Sequence, residues 1–234
     1  MKYIIFLMIT FSAIWGQSYT ISIFGLPFVD VEQTIHDSGR IAYTTQTRGV
    51  WDLIWPTKNS YEATYHPETF STITWQKTIR QGELKSKLNG KRDFLGFMSY
   101  GDEKKVELPN HSTNIFTLLA MAQHEPFETL DTKKFHVEHE GKIGTARFIW
   151  ADSSNAWNGK DSVLCDHYRL DLDITEEKVK FDEPSDYFMD EIIADGVIRE
   201  LYISRQKPKR VIQAILKTTW VPAIAKIDSE NTYD

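Results

Sequence analysis

The sequence has almost no cysteine. Cys165 is the only one in 234 residues, so no internal disulfide framework can staple the fold, and a packed core must hold it. A mature chain of about 215 residues can bury such a core and still fit within one domain. Basic residues are also in deficit, with 27 Lys and Arg against 33 Asp and Glu, a formal charge of −6. That balance argues against nucleic acid as a partner, which calls for a basic face. No Gly-rich phosphate loop, no G-x-S-x-G and no H-E-x-x-H occurs. Internal repeats, low-complexity tracts and Gly/Ser linkers are missing too. Composition stays even from Tyr19 to Ile227, which favours a single domain over 17–228 and a frayed polar tail over 229–234.

Long apolar runs are scarce. The one at the start, MKYIIFLMITFSAIWGQS, has Lys2, then apolar residues from Tyr3 to Ile14, then Gly16. A charged start, about a dozen apolar residues and a small residue at the end read as a secretory signal peptide over 1–16, cleaved after Gly16. The alternative is a retained N-terminal anchor, although the run is short for a membrane span of about 20 residues. No Cys follows it to carry a lipid. Loss of Lys2 leaves 26 basic against 33 acidic residues, a formal charge of −7. The expectation is an exported chain, periplasmic or secreted, with no transmembrane span once mature.

What the sequence has in abundance is period two. In NSYEATYHPETFSTITWQ, Asn59 to Gln76, aromatic and polar residues alternate, break at His66-Pro67-Glu68, and alternate again. Pro67 ends a ladder because it has no N–H to donate and keeps His66 extended. Thr72–Arg80 places Ile73, Trp75 and Ile79 on one face; Gln81-Gly82 is a turn and Glu83–Leu88 runs back. A hairpin with one buried and one wet face is predicted. The same rhythm predicts strands at Tyr19–Phe24, Val29–Asp37, Arg40–Thr47, Lys134–Glu140, Thr145–Trp150, Val163–Ile174, Val197–Ser204, Val211–Lys217 and Trp220–Ile227. In Val163–Ile174, Leu164, Tyr168, Leu170, Leu172 and Ile174 share a face.

Two stretches break the period. NHSTNIFTLLAMAQ carries Ile115, Leu118, Leu119 and Ala122 at helical spacing, with Ser112 or Thr113 as the cap. Asp186–Ile193, DYFMDEII, reads as a second short helix. The fold class is therefore mainly β: a strongly curved antiparallel sheet or partly open β-barrel with one or two short helices over its mouth or edge.

Candidate chemistry is thin. HVEHE puts His136, Glu138 and Glu140 on one strand face. His and Glu can ligate zinc, which makes His136 and Glu138 the alternative metal pair. The turn residues that follow make a solvated strand face the preferred reading, with no metal. Asp171 and Asp173 share a face with Arg169 and His167, and such neighbours explain the carboxylates more simply than acid–base catalysis. Cys165 has His167 two residues on but no third partner for a nucleophile. Asp152–Asp161, DSSNAWNGKD, lacks the acidic spacing and closing Glu of an EF-hand and reads as a polar loop. Arg205–Arg210, RQKPKR, reads as a solvated hairpin tip. Asn110-His111-Ser112 fits a glycosylation sequon. No catalytic residue and no cofactor is assigned.

Aromatic residues remain. Trp51 and Trp55 lie in GVWDLIWP and Trp75 in the hairpin. Aromatics lining a curved sheet under an apolar helix can enclose a hydrophobic ligand, so Trp51, Trp55 and Trp75 are the candidate ligand-binding residues. The alternative is that they fill the core.

Motif order then supports a resemblance. The leader, SYEATYHPETFSTITWQKTIRQGE, Leu108-Pro109 before NIFTLLAMAQ, FHVEHEGKIGTARFIW, CDHYRLDL and YISRQKPKRVIQAIL together resemble an exported bacterial family, domain of unknown function 3108. His66 stands where that family carries Asp, and Trp220-Val221-Pro222 where its last turn carries Gly. The resemblance implies an envelope protein on antiparallel sheet and implies no catalytic residues. The function expected is a non-enzymatic envelope protein that binds a hydrophobic or lipid-like ligand or an envelope protein partner. The alternatives are a scaffold with a filled barrel and an envelope hydrolase.

Overall fold

Period-two alternation resolves into fourteen strands and four short helices among the described residues, which are 14–101, 104–181, 186–218 and 222–228 of this computed structural model. The first half holds β1 (Ile14–Ile23), β2 (Leu26–His36), β3 (Arg40–Thr47), α1 (Val50–Ile54), β4 (Lys58–Tyr65), β5 (Thr72–Gln81), β6 (Leu84–Arg92), β7 (Phe97–Tyr100) and β8 (Lys104–Glu107). The second half holds α2 (Ile115–His124), α3 (Phe127–Leu130), β9 (Lys134–His139), β10 (Lys142–Trp157), β11 (Ser162–Glu177), α4 (Tyr187–Ile193), β12 (Ile198–Ser204), β13 (Val211–Lys217) and β14 (Pro222–Ile227). All join one antiparallel sheet in the order β8-β7-β6-β5-β4-β3-β2-β1-β14-β13-β12-β11-β10-β9. Mainly β, antiparallel and partly open is the class the alternation predicts; the helices number four rather than one or two.

In β4 the pattern is regular: Asn59, Tyr61, Ala63 and Tyr65 face inward, while Ser60, Glu62 and Thr64 lie at intermediate depth. The sheet does not close by strand pairing, because its terminal strands β8 and β9 do not pair with each other. A short crossing segment stitches part of the gap. Thr72 N donates to Ser112 O (2.9 Å), Thr113 N to His136 O (2.8 Å) and Glu138 N to Thr113 O (2.9 Å). Ser112–Thr113 thereby ties β5 to β9.

Helix α2 lies inside the curve. Its cap is Asn114, which accepts from Thr117 N while Thr117 Oγ1 accepts from Asn114 N, a reciprocal box. The sequence pointed one or two residues earlier, to Ser112 or Thr113. Phe116 stacks on Trp75 (4.9 Å) and on Tyr61 (5.2 Å). Burial of side chains such as Ile115, Phe116, Leu118 and Met121 stabilises by about 1.5–3 kcal/mol each. No helix among the described residues is long and apolar enough to cross a membrane.

Bulges account for most departures from the predicted faces. A register shift between Thr64 and Tyr65 turns Ile73 outward, to 43% exposure, against the prediction. It leaves Lys77 inside with Trp75 and Ile79. A second shift between Trp150 and Asp152 exposes Leu164 and buries Cys165. The predicted loop at Asp152–Asp161 is mostly strand: β10 continues to Trp157, with Ser153 paired to Asp166 and Ser154 to Cys165. The leader expectation falls mainly on 1–13, which lie outside the described residues, as do 229–234. Residues 14–16 open β1, paired with Thr34–His36. Trp220 and Val221 also lie outside; the last strand starts at Pro222.

Candidate functional site

Two helices bracket the interior from opposite ends of the sheet. At one end, α2 runs toward the start of β1, where Gln17 Nε2 donates to Gln123 Oε1 (3.0 Å) and His124 packs on Trp15 and Phe70. On the other side of the interior lies α4, with Met189 buried. Asp186 caps α4 by accepting from Phe188 N (3.0 Å). The same buried carboxylate accepts from Gln81 Nε2 (2.8 Å) and from the Tyr61 hydroxyl. The predicted second helix therefore exists, pinned to the interior by its own cap.

Between α2 and α4 lies a cavity of about 210 Å³. Ile115, Phe116 and Leu119 form its α2 side, and Phe188, Met189 and Ile192 its α4 side. Ile21, Val31, Leu201 and Ala225 contribute from the sheet. Three tyrosines, Tyr19, Tyr43 and Tyr61, also line it. Their hydroxyls are engaged: Tyr19 donates to Gln17 and Gln33, Gln33 Nε2 donates to Tyr43, and Tyr61 donates to Asp186. Burial raises all three phenols above their ordinary range, so they stay neutral.

Two charged residues of β12, Arg199 and Glu200, join this lining, and Arg199 does so from the inward-facing register. Arg199 is 6% exposed and shares its parity with Leu201 and Ile203. It donates to the carbonyls of Ile192 and Ala194 at the end of α4 and of Val197 just before β12. Desolvation lowers its pKa. Arg199 escaped the sequence reading, although its alternation with Leu201 and Ile203 was the signal that could have found it.

None of Trp51, Trp55 and Trp75 is among the cavity-lining residues. Trp75 is 3% exposed and backs Phe116 and Tyr61, which do line the cavity. Trp51 sits on α1 edge-on to Phe28 (5.3 Å), and Trp55, 47% exposed, meets Tyr187 (5.6 Å) at the α4 end.

The HVEHE cluster has a different setting from the wet face its pattern suggests. His136 is exposed, but Val137, Glu138 and His139 are all buried where β9 folds toward β7. Glu138 accepts from the Tyr100 hydroxyl and from Gly141 N (2.8 Å). Desolvation pushes its pKa up to about 7 against those hydrogen bonds. Lys77 Nζ sits 2.6 Å from the Glu140 carboxylate, and His139 Nε2 lies 3.6 Å from it. Burial pushes the His139 pKa down. Among the described residues no group of three or more His, Cys, Asp or Glu is arranged to hold a metal.

The other candidates are paired or inert. Asp171 accepts from Arg169 Nε (2.7 Å) and lies 3.5 Å from Arg147. Burial pushes the Cys165 thiol up to about 11, which disfavours the nucleophilic thiolate. His167 stacks on Tyr202 (4.3 Å).

The chain matches no protein-family model and no curated protein. It is similar in structure to a beta-barrel-like protein of domain of unknown function DUF1849 from Brucella abortus. The TM-score is 0.58 at 8% identity, over 95% of this chain and 98% of that one. At that identity the likeness carries the fold alone, and it agrees with the barrel-like sheet described above.

Proposed function

We propose that this chain is an exported, non-enzymatic envelope protein, of the kind its motif order resembles, that holds a hydrophobic, lipid-like ligand between α2 and α4. The carrying observation is the apolar cavity of about 210 Å³ beneath α4. It is smaller than the ~300–1,000 Å³ of drug-sized sites, which suits one slender chain rather than a ring system. α4 suits the part of a cover, since Met189 is its one buried residue. The titratable groups gathered by burial, Glu138, His139 and Glu140, stand outside the cavity lining, which supports a binding role over a hydrolytic one. Cleavage after Gly16 would leave the Gln17–Gln123 bond of β1 in place.

Native mass spectrometry with lipid extraction, on protein purified from its own envelope, tests this reading. A bound acyl chain and an N-terminus at Gln17 are expected. A consistently empty protein that also takes up no fluorescent fatty acid would overturn it.

A specific observation favours a second reading, an envelope-partner scaffold. Leu53 (85% exposed) and Ile54 (69%) are bare on α1, beside Trp55, which meets Tyr187 of α4, and exposed apolar groups that cluster mark interaction sites. Leu53→Asp with Ile54→Asp would abolish partner capture while leaving acyl uptake unchanged, if that reading governs.

A further inference from the structure

We infer that the ligand is a single-chain amphiphile with an anionic head group, carboxylate or phosphate monoester, held by the Arg199 guanidinium while its chain lies along α2. This rests on the ligand-binding reading above and deepens it. Arg199 is a buried cation in a mostly apolar wall that also includes Thr45 and Glu200. Its three hydrogen bonds all go to neutral main-chain carbonyls. Other basic side chains meet carboxylates directly: Lys77 with Glu140, Arg205 with Asp166, Lys217 with Glu200, each at 2.6 Å. Arg199 has no such partner among the described residues. Asp171 and Asp195 act on it only through space, and Glu200, the next residue along β12, is engaged by Lys217.

A buried charge without a counter-charge costs several kcal/mol. The helix end offsets part of this, since carbonyls at a C-terminus favour a cation, but they neutralise none of the charge. An incoming carboxylate or phosphate would. The guanidinium fork matches both anions in geometry. Elimination points the same way. The tyrosine hydroxyls that face the cavity are already bonded to Gln17, Gln33 and Asp186. An anionic head within this wall has Arg199 as its cationic anchor. Because two of the carbonyls it holds, Ile192 and Ala194, belong to the end of α4, a ligand that engages Arg199 also loosens the cover's fastening.

The test is displacement of a fluorescent fatty acid from the intact mature protein at pH 8 by dodecanoate, dodecyl phosphate and methyl dodecanoate. The expected result is that at least one anion displaces at about one-tenth the concentration the ester needs, equivalent to about 1.4 kcal/mol. The better anion identifies the head. Arg199→Gln should bring all three together, with ester affinity within about twofold of wild type, and Arg199→Lys should keep part of the preference. Wild-type protein that takes ester and anions equally well overturns the head-group assignment and leaves the ligand reading standing. A protein that binds neither the fluorescent acid nor any competitor overturns both. Selectivity that survives in Arg199→Gln removes Arg199 from the site. The wild-type comparison stands even if a variant fails to fold.

Discussion

Tyr100 on β7 donates its hydroxyl to the Glu138 carboxylate on β9, across the side of the sheet where no strand pairing joins the two edges. Buried side chains do there what main-chain ladders do elsewhere. Lys77 and Glu140 add an ion pair to the same seam, with side-chain exposures of 3% and 11%.

The seam gives stability a pH dependence on the acid side of neutrality. Glu138 is pushed up to about 7 in the folded state, against about 4.3 unfolded. A raised carboxyl favours folding at low pH, and that contribution is lost as pH rises from about 4.3 to about 7, to a total of about 4 kcal/mol. His139 is lowered, so its contribution is present above about 6.5 and is lost as pH falls. Denaturant unfolding across pH 4–9 should show the two groups acting in opposite directions below neutrality, with neither contributing a slope above about 7. Glu138→Gln removes the falling contribution, so between pH 4 and 7 the variant should gain about 4 kcal/mol relative to wild type. A wild-type-minus-variant difference that stays constant over that range would place the titrating group elsewhere.

Gly144 stands at the bulge between β10 and β11, where a Cβ would lie 1.9 Å from the Asp173 carbonyl oxygen and 2.6 Å from Ile174 Cα. Both are main-chain atoms and cannot swing aside. Gly144→Ala should cost about 3 kcal/mol or more, which for a chain of this size lowers Tm by about 2–4 °C per kcal/mol. Calorimetry measures it; a change within about 1 °C would show that the hairpin absorbs the methyl.

Asp186 joins the cover to the wall. Asp186→Ala removes the α4 cap and leaves Gln81 Nε2 and the Tyr61 hydroxyl without their acceptor. A loss of about 1–3 kcal/mol is expected. Hydrogen exchange should rise first in residues 187–193 and least in β4 and β5. Uniform acceleration across the sheet would show instead that Asp186 supports the whole barrel.

Filling the cavity tests its use directly. Ala214 lines it, and Ala214→Leu should weaken acyl-probe binding by about tenfold or more while Tm stays level or rises, because added methyl groups occupy empty apolar space. Unimpaired binding in a stably folded Ala214→Leu protein would put the ligand elsewhere.

Much of the sheet was legible because period two is written plainly where one face is buried. Arg40–Thr47 and Val211–Lys217 coincide with β3 and β13 to the residue. β7 and β8, four residues each, are too short to show a period and were missed. Ile73 and Leu164 were assigned inward because one extra residue in a ladder reverses every side chain beyond it. Lys77 shows the same limit, since a buried lysine reads as a surface residue until its partner across the seam is known. The cavity was not legible. Its wall is drawn from β1 to β4 and β11 to β14 with α2 and α4, and such proximity exists only after the sheet has curled. Even so, Asp186 was placed at the start of its helix, and the strand parity of Arg199 was there to read.

The pairing of β1 with β14 has a kinetic consequence. Thr20 Oγ1 donates to Asp228 (3.0 Å) across 208 residues of sequence, so the earliest ribbon waits for the latest before its second edge is satisfied. Closing so long a loop costs entropy before any contact repays it. Until then the nascent polypeptide carries two unfinished halves, each with an open flank ready to recruit a stray neighbour. A folding helper that shields β1 during this wait would speed maturation without touching the finished protein.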